Sequence, residues 1–464
     1  MMGERPLTAK PSTLPTPRRP TVKSKSQFPR RRFLAATAAA GLPYWIPSGV
    51  LASRGRPGAN ERIVVAAIGV GGMGGGHLGR LLAFQQQGAT RVAAVCDVDA
   101  KRLANARKQA VDAGSGDVAA YGDYRHAVIR NDVDAVVIST PDHWHAVQTV
   151  HACETGKHVY VEKPTSVTIR EGQAMVDAAR KNHCAVQVGA QGRSGIPAYY
   201  TCRAIRNGMI GKVNKVTCWH YETPQDDHPV PDGAPPPELD WDAWLGPLPW
   251  RPYNPRYCHG VFRWLMESGG GQIRDRGAHQ FSVILWCLGA DEQTSCTVEA
   301  TGTPPTRGLW DCPPTMHVTY TFEDPDWTLV WGQPGEKLGK TEFGQVFWGD
   351  GGKLLLEWEG ARKWAEPEAI AFQTPPGGFE PYHPDYFEDF GMNHMAEWLH
   401  AIKESRRPNT DVELSHRVAT LCNLGNLAYV LGRKLVWDGR RQEVVGDAIA
   451  NRLLARPQRH PYHL

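Results

Sequence analysis

From about residue 61 onward, short continuous apolar runs alternate with stretches in which apolar residues recur at helical spacing. "RIVVAAIGV" leads into a segment carrying Leu78, Leu81, Leu82 and Phe84, and "RVAAVCDVD", "VDAVVIST", "HVYVEKP" and "CAVQVG" follow with helix-period segments between them. Val-rich runs that are apolar at nearly every position, separated by helices, are the pattern of parallel strands covered on both faces. They predict a doubly wound α/β domain over residues 60–190. Beyond about residue 210 the texture changes. "KVNKVTCWHYE", "MHVTYTF", "WTLVWG" and "KLLLEWE" are aromatic and often alternating, as in an open, mainly antiparallel sheet. Helical patterns over 269–289, 389–404 and 412–434 complete a second α/β domain, placed at 191–440, with a tail over 441–464. Between the first two of these strands, the Pro- and Trp-dense segment 229–257 reads as an ordered loop near a binding face.

Residues 1–52 have a different character. A polar, basic, Pro-rich stretch leads into an uncharged run over 33–46 that is too short to span a bilayer, the layout of a signal peptide. Arg30 and Arg31 ahead of Phe33 and Leu34 resemble the twin-arginine export pattern, with Pro29 and Ala35 departing from it, and "VLA" at 50–52 suits cleavage. The expectation is a periplasmic or otherwise exported bacterial protein, with the twin-arginine export machinery as a partner. The segment holds nine Lys or Arg and one Glu, so the chain's +4 less the leader's +8 leaves −4 for the body. That balance removes the charge argument for nucleic acid. Ten cysteines without a C-x-x-C indicate neither a zinc knuckle nor a disulfide framework, and any pairing among them is not legible.

Four stretches carry chemistry. Gly69, Gly71 and Gly74 form G-x-G-x-x-G between a predicted strand and a predicted helix, with Gly72 and Met73 inside the turn. Such a turn lets a pyrophosphate approach backbone N–H groups at a helix N-terminus. Asp97, 23 residues after Gly74, ends the next strand, where a carboxylate accepts from the adenosine ribose and repels a 2′-phosphate. The pair favours NAD over NADP. "STPDHWHA" places Thr140, Pro141 and His145 at a later strand end facing the same crevice, with Asp142 and His143 beside them. His143 and His145 could ligate a metal, with Asp142 near them, but an H-x-H pair without a cysteine or a carboxylate partner set is more often structural; His145 is favoured as a pocket residue, and no metal is expected. "VYVEKP" puts Glu162 and Lys163 at another strand end, where a lysine beside a nicotinamide can donate to a substrate hydroxyl. In 269–289 a glycine run precedes one helix with Asp275 and His279 at i and i+4, hence on one face. A neutral imidazole there can take a hydroxyl proton.

In this order, G-x-G-x-x-G, T-P-x-x-x-H, E-K-P and GGG-x-x-x-D-x-x-x-H resemble the glucose-fructose oxidoreductase and inositol dehydrogenase family, Gfo/Idh/MocA, over about 60–435. The resemblance implies an N-terminal Rossmann domain, a C-terminal α/β domain with an open sheet, and an active site between them. It makes Lys163, Asp275 and His279 the catalytic group, Glu162 and Pro164 the shape of the turn near the nicotinamide, and Gln191 and Arg193, in "QVGAQGR", pocket residues alongside Lys163, Asp275 and His279. Trp241, Trp244 and Trp250 offer flat surface to a sugar, or core packing. Assembly into a homo-oligomer through the open sheet is implied, its aromatic strands suiting such a face.

The implied reaction is oxidation of a secondary alcohol of a sugar or cyclitol, with the hydride passing to NAD. Export carries a folded protein away from the cytoplasmic cofactor pool, so a tightly held, recycled NAD is expected. A redox-neutral glycosidase that oxidises, eliminates and reduces again is the alternative, and a non-enzymatic carbohydrate-binding protein is a third reading.

Overall fold

The computed structural model describes residues 62–292, 295–359, 363–364 and 389–464. The signal expected over 1–52 lies outside them. Strands β1 (Ile63–Ile68), β2 (Thr90–Cys96), β3 (Ala119–Tyr121), β4 (Ala135–Ile138), β5 (His158–Glu162) and β6 (Val186–Gly189) form one parallel sheet in the order β3-β2-β1-β4-β5-β6. This is the Rossmann order, and its direction reverses between β1 and β4, so the crevice for a ligand opens at their carboxyl ends. Helices α1 (Gly72–Gln86), α2 (Ala100–Asp112), α3 (Arg125–Val128), α4 (Asp142–Glu154) and α5 (Ile169–Lys181) connect the strands. Successive strand residues serve opposite faces. Ala66, Ile68 and Val136 pack with Val147 and Met175, whereas Val65, Ala67 and Val137 pack with Leu78 and Leu81.

After α6 (Ile196–Arg206) the chain builds a second sheet, with the short helix α7 (Trp241–Leu245) after its first strand. It contains β7 (Val213–Trp219), β8 (Cys296–Gly302), β9 (Met316–Glu323), β10 (Asp326–Gln333), β11 (Gly344–Gly349), β12 (Gly352–Glu359), β13 (Lys363–Trp364), β14 (Leu435–Asp438) and β15 (Glu443–Val444). Among the described residues its order is β13-β12-β11-β7-β10-β9-β8-β14-β15. All pairings are antiparallel except β7 with β10. In β9, Met316, Val318, Tyr320 and Phe322 are buried, whereas His317, Thr321 and Glu323 are exposed. The aromatic side chains of β9 thus face the core, against α9 (Gly277–Leu288) and α11 (Val412–Leu431), and the outer face of the strand is polar.

Two readings of the sequence need adjustment. The single helix expected over 269–289 is two: α8 (Gly271–Asp275) ends, Arg276 sits at φ −99°, and α9 begins at Gly277. Glycine loses more backbone freedom on entering a helix than other residues do, so it holds a helix poorly across such a junction. Residues 441–464, read as a tail, are folded onto the body. β15 pairs with β14, α12 (Ala448–Arg452) follows, and Arg456 pairs with Glu171 at 2.8 Å. Helix α10 (Phe390–Lys403) returns to the first sheet, where Met395 and Trp398 complete a core of the Rossmann domain.

Candidate active site

A cleft of about 730 Å³ opens at the carboxyl ends of β1, β2, β4 and β5. The glycine turn forms one wall. Gly69 has φ +76°, and a Cβ on it would lie 2.7 Å from the Thr140 nitrogen, so a side chain is excluded both by conformation and by space. A Cβ on Gly74 would meet the Gly69 carbonyl oxygen at 1.8 Å, which makes Gly74 the close contact of helix on strand rather than a cleft wall. Gly72 has nothing within 4 Å of its Cβ position. Helix α1 starts at Gly72 with no side-chain cap on its first N–H groups. Open amides at a helix N-terminus beside an unfilled surface fit a dinucleotide pyrophosphate.

Asp97 lines the cleft one residue beyond β2. Its Oδ2 accepts from Val70 N–H at 2.8 Å and its Oδ1 from Asp99 N–H at 2.9 Å, so the carboxylate ties the glycine turn to the β2–α2 loop. Burial raises its pKa, and the two N–H groups act against that rise. Thr140, Pro141 and Met73 also line the cleft.

At the other end, Glu162 and Lys163 close β5 and line the same cleft. Lys163 Nζ donates to Asp275 Oδ1 at 2.5 Å and to the Asp275 carbonyl at 2.9 Å, two of the three bonds an ammonium can give. Burial pushes the Asp275 carboxyl pKa up. Lys163, Arg263 and Arg276 instead depress its pKa far below the carboxylate range. Half-buried His279 lies within electrostatic reach of this group, and burial, Lys163 and Arg276 push its pKa down to about 3, so its imidazole is neutral at pH 7. Glu162 is held ionised, at about 2, although burial opposes this: His77 Nε2 lies 2.6 Å from its Oε1, and Gln191 Nε2 donates to the same oxygen at 2.7 Å.

The structure brings Lys163, Asp275, Glu162 and Gln191 together, and it moves two expected pocket residues away. His145 does not line the cleft. Its Nδ1 lies 2.8 Å from the Pro164 carbonyl and its Nε2 2.9 Å from the Thr140 carbonyl, so it ties the two strand-end loops together beneath the site. Arg193 is engaged by Ser282 Oγ at 2.9 Å and by both Asp291 oxygens, outside the cleft lining. A buried guanidinium takes the planar carboxylate that it can bond twice. Asp275 and His279 are not part of the cleft lining, and Asp275 meets the cleft through its bonds to Lys163. His143 packs on Trp244 and lies 3.0 Å from its carbonyl, a structural role.

Sequence reasoning did not find Arg263, which lines the cleft and donates to Asp275 Oδ1 at 3.1 Å, nor His77, the partner of Glu162. His77 lies four residues before Leu81 and so shares the buried face of α1 with it, a signal present in the sequence. Arg263 had none, because its loop has no periodicity. Asp142, in the first turn of α4, also lines the cleft, and burial raises its pKa to about 7 against the pull of Arg263 and Lys163. Trp241 stacks on Trp244 at 5.0 Å within a small core of their own segment, and Trp250 is 64% exposed.

A Rossmann crevice with an uncapped glycine turn, joined to an open-sheet domain by a lysine–aspartate pair, defines a two-domain, NAD-binding oxidoreductase architecture. Residues 63–190 match the NAD-binding Rossmann fold of the Gfo/Idh/MocA oxidoreductase family, and 203–355 with 385–464 match the family's C-terminal α/β domain. The chain belongs to that family. Among curated relatives, a glycosyl hydrolase family 109 protein of Saccharopolyspora erythraea is 36% identical over 132 residues, 27% of this chain and 28% of that one. Glycosyl hydrolase family 109 protein 2 of a Shewanella species is 33% identical over 208 residues, 40% of this chain and 45% of that one. The chain therefore spans less than half the length of either relative. The aldose-aldose oxidoreductase of Caulobacter crescentus, solved with glycerol, superposes with a TM-score of 0.59 at 17% identity, over 81% of this chain and 99% of that one, a likeness of fold.

Proposed function

We propose that this protein is an exported NAD-dependent oxidoreductase that oxidises a secondary hydroxyl of a sugar or cyclitol and recycles a tightly held cofactor in place. The observation that carries the reading is the position of Lys163, which lines the cofactor cleft while donating twice to Asp275. Its third N–H is available to the oxygen of a bound hydroxyl, whose developing negative charge it stabilises. Asp275, kept ionised by three cations, fixes the ammonium in that position. The family resemblance assigns the hydroxyl proton to neutral His279, which is set back from the cleft lining but within electrostatic reach of Lys163 and Asp275. When bound, NAD supplies the acceptor for the hydride leaving the carbinol carbon. Glycine positions 69, 71 and 72, with Met73, Asp97, Thr140 and Pro141, hold it. Assembly into a homo-oligomer belongs to the same reading.

The curated relatives favour a second reading of the same site, the redox-neutral glycosidase. There the transient ketone acidifies the neighbouring C–H, that proton and the glycosidic group leave, water adds, and the hydride returns to carbon. Both readings share the first step. Cofactor-loaded protein incubated with free sugars and with aryl glycosides, followed by product analysis, separates them. Stoichiometric cofactor reduction by a free sugar, reversed by a second carbonyl compound, supports net oxidoreduction. Aglycone release over many turnovers without net reduction supports the glycosidase. Absence of both, across the panel, rejects the proposal.

A further inference from the structure

The roof of the cleft comes from outside the Rossmann domain. Residues 238–263 pass over it, and Asp240, Trp244, His259 and Arg263 of this strap line its far side. The strap has its own core, in which Leu239, Trp241, Trp244, Leu248 and Phe262 pack with Val98 from the β2–α2 loop. It is fastened to that loop by a short antiparallel bridge between Asp99 and Leu239, with Ala100 N–H donating to Glu238 O at 2.9 Å and Asp240 N–H to Val98 O at 3.0 Å. At the other side, the Trp244 carbonyl lies 3.1 Å from Trp144 Nε1 of α4. Both ties end on elements, the β2–α2 loop and α4, that also carry cleft residues.

The chain's last residues complete the closure. Arg459 donates to the Asp242 carboxylate at 2.5 Å, to the Asp242 carbonyl at 2.8 Å and to the Gly246 carbonyl at 3.0 Å, and its own N–H donates to Pro247 O at 3.1 Å. Tyr462 then reaches the cleft wall, its ring edge-on to Trp144 at 5.2 Å and under the Arg125 guanidinium at 5.7 Å. The segment around Arg459 and Tyr462 thus ties the strap to the wall of the cleft.

We infer that the strap and the C-terminal peptide form a clasp, with Arg459 as its catch and Tyr462 as its tip, that must open before a dinucleotide can enter or leave the cleft. This rests on the proposed reading of the cleft as an NAD site, and it assigns cofactor retention to residues outside the glycine motif. Arg459 and Tyr462 act as positioning residues: neither lies among the groups assigned to the chemistry.

The test is the rate of nucleotide release from the full-length holoprotein. Wild type, Arg459→Ala and Tyr462→Ala are loaded with NAD, separated from free nucleotide and challenged with excess etheno-adenine NAD, whose uptake is read by fluorescence. Melting temperatures of the nucleotide-free proteins are measured in parallel. Loss of several charge-assisted hydrogen bonds in Arg459→Ala is expected to speed exchange about tenfold or more. Tyr462→Ala should speed it with the melting temperature nearly unchanged. Exchange at the wild-type rate in both variants overturns the clasp. If Arg459→Ala does not fold, Arg459→Lys, which keeps the charge and loses the fork, is read in the same way. Wild type that takes up no NAD at all contradicts the cofactor reading itself, which is a different result from wild type and variants exchanging alike.

Discussion

Asp142→Asn turns the burial of one carboxyl into a measurable pH dependence. Asp142 is 5% exposed at the cleft wall, and burial lifts its pKa from 3.8 to about 7 despite Arg263, Lys163 and Arg274; Asp275 adds to the rise. A carboxyl whose folded pKa lies above its unfolded value binds more protons folded than unfolded, so it lowers stability as pH rises through the interval between the two, and the loss is complete above the folded pKa. With those two pKa values, the penalty grows by about 2 to 3 kcal/mol between about pH 5 and about pH 8.5. Asparagine has nearly the same shape and does not titrate. Relative to wild type, the nucleotide-free variant should therefore gain about 2 to 3 kcal/mol over that range, a melting-temperature difference of about 3 °C for a body of this size. Thermal unfolding of both proteins at the two pH values measures it. A stability difference that is flat across the range, or that shrinks as pH rises, refutes the buried, proton-retaining carboxyl.

Other consequences concern neighbouring residues. Glu162→Gln should cost up to about 3 kcal/mol at neutral pH, because the folded pKa of Glu162 is depressed to about 2 from 4.5; urea titrations should show the difference intact above about pH 4.5 and closing as pH falls toward 2. Lys163→Met should reduce turnover by about a hundredfold or more, while NAD uptake by the glycine turn remains measurable by fluorescence titration. His279→Ala should likewise abolish turnover on any substrate the wild type consumes; unchanged rates would remove His279 from the reaction. Gly69→Ala should cost about 2 kcal/mol or more and weaken NAD binding, since the new Cβ meets both an unfavourable φ and the Thr140 backbone; calorimetry and a melting curve read the two effects separately.

Much of this architecture is legible in the sequence for a simple reason. Strands such as "AVVI" and "HVYVE" are buried on both faces, so nearly every position is apolar, and the glycine turn is constrained at several positions at once. The alternation in β9 likewise separates core from outer face. Strands β8 and β11 were not read: "CTVEATG" and "GQVFWG" carry glycine and short apolar runs that resemble loops, and their state is decided by pairing with β9 and β7. Lys163, Asp275 and Glu162 were placed by motif, but their partners were not. His77 and Glu162 are 85 residues apart, and Arg193 finds Asp291 98 residues away. Local spacing says nothing about which distant charge a buried ion will meet. The strap shows the same limit from the other side: its Pro and Trp content marked it as ordered, and only the fold puts it over the cofactor cleft.

In the proposed reaction, a sugar or cyclitol carbon gives its hydride to NAD at Lys163. Single-turnover mixing of NAD-loaded protein with a substrate it consumes, followed at the reduced-nicotinamide absorbance band, tests this directly. A transient or lasting rise in that band is expected, slowed when the reacting carbon carries deuterium and slowed by about a hundredfold or more in Lys163→Met. Substrate consumption with no reduced nicotinamide at any time and no isotope effect would contradict it.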